Sequence, residues 1–522
     1  MKSTRRLPPG GGVFYIQLRL KCGNFAHQNK KFARRLMGIN YESYEIVVGL
    51  EVHAQLLTES KLFCGDSASF GGEPNTHVSP ITLAHPGVLP RLNKKAVEYA
   101  IKMGLACHCS ISPNNYFARK NYFYPDLPKG YQISQHTTPI CVGGYVNIQV
   151  EGNSRPVQLN RIHLEEDAGK SLHDINPNYT CVDLNRAGVP LIEIVTEPDI
   201  HSGEEAYAYL TEVRQLLRYL EVCDGNMEEG SMRCDANISV RKKGDLQLGT
   251  KVEVKNLNSI RNVKRAIEFE SKRLIELLEA GEPIIQQTRS FDANNGTTFA
   301  LRTKEEANDY RYFADPDLVP FKVTDEMLGS IRSSIPELPA EKVKRYLESF
   351  SGLTSYDAAV IAEEKAFAGY FEQLVELVGT AKAKSAANWM LGPIKSYLNE
   401  SGVSIEKFSI TPPSVAKLIT LIEEGKLNFS TASSRVFAEL LLNPGKDPLQ
   451  VAQELNLVQD SDESTVENWV NEVLTKMPDK VAEYKKGKKG LIGLFVGEVK
   501  KLSKGKADPK LTNDILIKKL QS

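Results

Sequence analysis

Between residues 41 and 330, apolar and polar residues alternate in short runs separated by Gly, Pro and Asn. A period of two puts successive side chains on opposite faces of a half-buried strand. Strands are expected at 44–56, 145–150, 157–166, 231–241 and 250–255. Apolar residues at helical spacing intervene at 94–103, 204–220 and 261–278. This predicts an α+β domain over 41–336, built on a largely antiparallel sheet. After Pro336 the strand signal ends, and helical spacing recurs at 338–350, 356–377, 381–398, 415–424, 434–442 and 466–476. Pro412-Pro413 interrupts that run, so two all-α modules are expected, 337–410 and 411–522.

The bulk composition is that of an ordinary globular chain of 522 residues, 41% hydrophobic and 25% charged. The formal net charge is zero, so composition alone points to neither nucleic acid nor membrane. No apolar run approaches the length of about 18 residues that a membrane-spanning helix needs. Eight scattered cysteines, with no secretory signal, read as reduced thiols in a cytosol-like compartment. Cys107-His108-Cys109 is the one close cluster, and it lacks the second pair that a structural metal site would use. Residues 1–40 hold nine Lys and Arg and no acid, with Pro8-Pro9-Gly10-Gly11-Gly12 in their midst. They read as a basic extension outside the fold. Translation from an upstream start, with Met37 as the first residue, is the favoured account and implies a cytoplasmic protein. A transit peptide would instead imply the mitochondrial matrix.

The chemistry lies on the polar faces of the strands. In the first strand Val48, Leu50 and Val52 share one face, and Gly49, Glu51, His53 and Gln55 share the other. A carboxylate and an imidazole on one face can grip a cation or move a proton. The strand at 231–241 repeats the device with Arg233, Asp235 and Asn237, and the strand at 250–255 does so with Lys251, Glu253 and Lys255. Asp and Asn are poor strand formers, so Asp235 and Asn237 suggest a task other than folding. The plain alternative is a solvated strand face. Glu165 shares a face with His163, whereas Glu166 falls with Ile162 and Leu164. Adjacent acids at 165–167 repel unless a cation sits among them, and an oxygen-rich cluster suits magnesium; an acidic turn is the alternative. Gly169-Lys170-Ser171 is not a phosphate-binding loop, because that motif needs a Gly where Leu164 stands. The stretch from Arg119 to Gln132 mixes bases and aromatics in a Pro/Gly-rich loop that could hold an anion or pack as a core.

Seven segments together resemble one known family. They are Gly49-Leu50-Glu51-Val52-His53, the loop Arg119 to Gln135, Leu164 to Lys170, Asp183 to Leu191, Met227 to Asn237, Lys255-Asn256-Leu257-Asn258-Ser259 and Asp309-Tyr310-Arg311-Tyr312-Phe313. In order and spacing they are similar to the GatB family, the B subunits of the Asp/Glu-tRNA amidotransferases, from about Tyr44 to the C-terminus.

The resemblance implies a catalytic domain folded like glutamine synthetase, a helical cradle and a helical tail. It implies an ATP-dependent carbon–nitrogen ligase acting on misacylated Glu-tRNA(Gln) or Asp-tRNA(Asn), with a separate A subunit supplying ammonia from glutamine and a small C subunit clasping the pair. Glu51, His53 and Glu166 are then the expected magnesium ligands, with Glu165, Asp235 and Glu253 as further catalytic acids. Lys170, Arg233, Asn237 and Lys255 are expected to steady the nucleotide. A non-catalytic tRNA-binding scaffold of the same fold is the competing reading, and a scaffold has no reason to retain those acids together. Many family members carry a zinc knuckle. The corresponding positions here look like Cys64, Asp66, Ser79 and Thr82, so zinc is not expected. Eleven lysines against four acids in 481–522 fit backbone phosphate binding by the tail, with a solvated helical surface as the alternative.

Overall fold

The computed structural model describes residues 39–303, 310–458, 463–503 and 506–521. Most of the basic extension, residues 1–38, lies outside them. The first strand, β1 (Tyr44–Gln55), is central to a 13-stranded sheet. Continuing along the chain, the parts that frame the site are α1 (Lys94–Ala106), β2 (Ala118–Asn121), β3 (Tyr131–Ser134), β4 (Tyr145–Val150) and β5 (Asn153–Glu166). A separate ribbon of β6 (Lys170–Asn176) and β7 (Tyr179–Asp183) follows. Then come β8 (Pro190–Thr196), α2 (Gly203–Tyr219), β9 (Met232–Lys242), β10 (Val252–Lys255), α3 (Ile260–Ala280), β11 (Gln287–Asp292) and β12 (Thr297–Thr303). The sheet order is β12-β11-β10-β9-β1-β8-β5-β3-β2, with the short strand Phe313–Ala314 at the far edge.

This is the α+β architecture that the alternation predicts. The pairing is antiparallel except between β10 and β11, which run parallel. The apolar alternate positions of β1, Val48, Leu50, Val52 and Ala54, are fully buried. They join one core with residues of α1, α2 and α3, which cover that face of the sheet. Burying each such side chain stabilises the fold by roughly 1.5–3 kcal/mol. A one-residue slip would send the whole polar row into that core, so the same burial fixes the register of the functional face. Ser202 and Ser259 cap α2 and α3 by accepting hydrogen bonds from Glu205 N and Asn262 N.

Some elements differ from the sequence pattern for local reasons. The 119–132 stretch is the arm and connection of a β2–β3 hairpin, with Lys120 opposite Gln132, and not an irregular loop throughout. The expected helix at 356–377 is two helices, Ser355–Ile361 and Lys365–Val378. The one at 381–398 widens over Met390–Ile394, where Pro393 has no N–H to give its turn.

Pro412 and Pro413 do not separate two modules. They sit in the first turn of the helix Pro412–Glu423, where missing N–H groups cost nothing. Val415, Leu418 and Ile419 of that helix share one core with Tyr346, Phe371 and Trp389, and this core extends to Ala452. The boundary expected at 411 therefore falls inside a packed unit. A distinct core begins at Val466 and ends at Leu520. Among the described residues no helix is long and apolar enough to cross a membrane.

Candidate active site

The polar face of β1 and its neighbours floors a cavity of about 770 Å³. Register builds it. Glu51 lies opposite Asp235 of β9, and His53 opposite Arg233 on β9 and Glu193 on β8. Glu193 in turn faces His163 of β5. Asn237 of β9 faces Glu253 of β10. Two groups of potential cation ligands result. Ligand atoms of Glu51, Asp235 and Glu253 all lie within 4.8 Å of one another, as do those of His53, Glu165 and Glu193.

The first group is held by its neighbours. Asn237 Nδ2 donates to Glu51 Oε1 at 2.9 Å, and Thr288 Oγ1 donates to Glu253 Oε2 at 2.8 Å. Lys255 Nζ pairs with Asp235 and stands 3.1 Å from Glu253 Oε1. Burial, then the charges of Glu193 and Asp235, push the Glu51 carboxyl above its usual range. Glu51, Asp235 and Glu253 together offer the carboxylate oxygens that a hard divalent cation takes.

In the second group His53 Nε2 is 3.5 Å from Glu165 Oε1 and 3.8 Å from Glu193 Oε2. His163 stands behind both acids, its Nε2 3.2 Å from Glu193 Oε2 and 3.7 Å from Glu165 Oε2. Burial alone would lower the His163 pKa; Glu193 and Glu165 override it and hold it up at about 9. The cationic imidazole beside Glu193 likewise outweighs burial and keeps that carboxyl ionised well below the usual range.

Glu166 lies in neither group. It points to the opposite face from Glu165, as the alternation indicates, and is 2% exposed. Its partners there are Lys129 Nζ and the backbone N–H of Ile133, the latter at 2.9 Å. Asp167 is buried among Gln55, Arg233 and Arg186, with Arg233 Nη2 at 2.8 Å. The Arg233 guanidinium is thus engaged by Asp167 at the cavity wall. Lys170 lines the cavity from the start of β6. Sequence reasoning missed Glu193, and it named His163 only as a neighbour of Glu165 on one face and Lys120 only within the stretch from Arg119 to Gln132. Glu193 did leave a signal, a lone carboxylate in Pro190-Leu191-Ile192-Glu193-Ile194-Val195, but nothing local shows which strand it faces.

The four positions matched to a zinc knuckle do meet. Asp66 Oδ2 accepts from Ser79 N at 2.8 Å and from the Thr82 hydroxyl, and Cys64 Sγ lies 3.4 Å from Thr82 Oγ1. Hydrogen bonds centred on Asp66 join these residues, Ser79 through its backbone N–H, with one thiol among them.

A sheet whose acids converge on one cavity, followed by helical modules, is the architecture of a defined class. Residues 46–329 match the family described as the GatB/GatE catalytic domain, and residues 369–520 match the GatB domain. The chain belongs to this GatB family. A protein of Thermodesulfovibrio yellowstonii is 52% identical over 478 residues, 92% of this chain and 99% of the relative. One from Geotalea uraniireducens is 51% identical over 480 residues, 91% and 99% of the two chains. One from Chlorobium chlorochromatii is 50% identical over 478 residues, 92% and 99%. All three are named as the B subunit of an aspartyl/glutamyl-tRNA(Asn/Gln) amidotransferase.

Proposed function

We propose that this chain is the B subunit of a tRNA-dependent amidotransferase. It uses ATP to phosphorylate the side-chain carboxylate of Glu-tRNA(Gln) or Asp-tRNA(Asn), then amidates it. The observation that carries this reading is the convergence of two carboxylate-rich ligand groups on one polar cavity. A non-catalytic scaffold gains nothing from that arrangement, because register-opposed like charges destabilise a sheet.

The chemistry starts from a poor electrophile. A carboxylate would have to expel oxide to accept ammonia, so its oxygen first attacks the γ-phosphorus of ATP and ADP leaves. Ammonia then adds to the acyl carbon and inorganic phosphate departs with the former carboxylate oxygen. Such phosphoryl transfer depends on position and charge more than on covalent protein chemistry. Glu51, Asp235 and Glu253, and separately His53, Glu165 and Glu193, would hold magnesium. When bound, magnesium neutralises phosphate charge and aligns the nucleotide. Lys255 stands among the first acids and Lys170 at the rim, both placed to meet phosphate oxygens. His163 orients Glu165 and Glu193 from behind, so the pair presents its outer lone pairs to the cavity.

Ammonia must come from elsewhere, because the sequence has no amidase-like nucleophile signature. An A subunit that hydrolyses glutamine and a small C subunit complete the assembly. The lysines of 481–522 bind tRNA phosphates. The deciding experiment is reconstitution with A and C subunits and assay of each misacylated tRNA with ATP, magnesium and glutamine. Amidated tRNA from the wild-type complex, and none from E51A, is expected; normal turnover by E51A would refute the assignment.

A further inference from the structure

We propose that Lys120 binds the side-chain carboxylate of the aminoacyl group, making it the residue that reads acid against amide in the substrate. The inference deepens the amidotransferase reading and rests on it.

Lys120 lies on β2 and lines the same cavity as the two acidic groups. Of the other cations that line the cavity, Lys255 is paired with Asp235 and Glu253 and Arg233 with Asp167, while Lys170 and Lys251 are exposed. The Lys120 ammonium makes no ion pair or hydrogen bond with a described residue. Two tyrosine rings flank it instead, with its Nζ 5.0 Å from the centroid of Tyr310 and 5.7 Å from that of Tyr122. Aromatic faces attract an ammonium without neutralising it. The charge therefore stays available to an incoming anion. Burial opposes that charge, and Glu165, Tyr312 and Glu193 maintain it, so Lys120 enters the reaction protonated.

Two anions reach this cavity, and the surroundings favour one of them for Lys120. A polyphosphate brings its own counter-cations and meets Lys255 beside Glu51, Asp235 and Glu253. An aminoacyl carboxylate arrives alone, into a space already lined by acids, and a cation of the protein beside it favours its entry. Lys120 sits on the His53–Glu165–Glu193 side, where Glu165 and Glu193 act on it directly. Carboxamide product has no charge for Lys120 to bind, so the same contact loosens once amidation is complete.

The test is a binding comparison with the reconstituted complex in magnesium buffer, without nucleotide. Glu-tRNA(Gln), Gln-tRNA(Gln) and the unacylated tRNA are titrated against wild type, K120M and K120R, and ATP affinity is measured separately. Wild type is expected to hold the carboxylate-bearing tRNA about tenfold more tightly than the carboxamide-bearing one, the scale of a hydrogen bond to a charged group. K120M should bring that ratio to unity while affinity for unacylated tRNA and for ATP is kept, and K120R should retain part of it. A wild-type ratio of unity, discrimination that survives in K120M, or a loss confined to ATP affinity would each overturn the assignment. Should K120M fail to assemble, K120Q is read in its place with the same outcomes. Failure of the wild-type complex to amidate is a different result, and it would strike the amidotransferase reading itself.

Discussion

Glu51 and Asp235 are register partners on neighbouring antiparallel strands, so two carboxylates stand side by side on one face of the sheet. Like charges directly opposed in a ladder destabilise it by roughly 0.2–1 kcal/mol. Lys255 offsets part of that repulsion through Asp235, and Glu51 is left with a raised pKa. The fold thus stores strain that a bound cation would relieve.

The first prediction follows from that strain. In buffer without divalent cations, E51Q should unfold at a higher temperature than wild type, gaining about 0.5 kcal/mol, because the amide removes one charge yet still accepts from Asn237. Added magnesium should raise the wild-type melting temperature more than that of E51Q, which keeps only the His53–Glu165–Glu193 group intact. A destabilised E51Q, or equal magnesium responses, would show that no such repulsion is held there.

Two adjacent glutamates should fail in different ways. Glu165 faces His53 in the cavity, and Glu166 faces Lys129 on the buried side. E165Q is expected to lose divalent-cation affinity with little change in melting. E166Q is expected to lose about 1–3 kcal/mol of stability, since it removes the charged partner of Lys129. Manganese titration followed by paramagnetic resonance, alongside thermal melts, separates the two. The reverse pattern would mean that Glu166 and not Glu165 ligates.

A third prediction concerns acid stability of the helical module. Glu372 accepts from Lys342 at 2.6 Å, Tyr346 at 2.8 Å and Arg345. Burial raises its pKa, and these partners override burial and lower it below the ordinary 4.5. A depressed folded pKa stabilises above the unfolded value, and the benefit is lost as pH falls from about 4.5 through the folded value. Wild type should therefore lose stability in that window more steeply than E372Q, which should be about 1 kcal/mol weaker at neutral pH. Parallel acid titrations followed by circular dichroism would refute this if the two curves had the same slope.

The core boundaries set where the chain can be cut. A chain ending at 458 keeps the two larger cores intact and discards only the one from Val466 to Leu520. It should stay folded and lose tRNA affinity, with a flatter salt dependence. Ending the chain at 411 strips Val415, Leu418 and Ile419 from their core and should yield an aggregating product. Unchanged tRNA affinity in the 458 chain would mean that the tail lysines are only a solvated surface.

The strands of the catalytic domain were legible because burial on one face enforces alternation. Val48, Leu50 and Val52 announce β1, and with it the shared face of Glu51 and His53. What alternation cannot tell is which strand lies beside which. Glu193 and Asp235 are far apart in the chain, and only the order β9-β1-β8 brings both beside Glu51 and His53. The expectation of a cation at Glu166 rests on its costly position on an apolar face, and that position has a second solution, a lysine arriving from the β2–β3 connection. Pro412-Pro413 was ambiguous for a similar reason: proline marks a helix start as readily as a domain break.

The central claim is that this acidic face transfers a phosphoryl group to the aminoacyl carboxylate. It is tested most directly by following oxygen. With Glu-tRNA(Gln) labelled with heavy oxygen in the side-chain carboxylate, the reconstituted complex should release inorganic phosphate containing a labelled oxygen, in step with amidated tRNA. E51Q should release none. Amidation accompanied by unlabelled phosphate would contradict the account, since the carboxylate oxygen would then have left by another route.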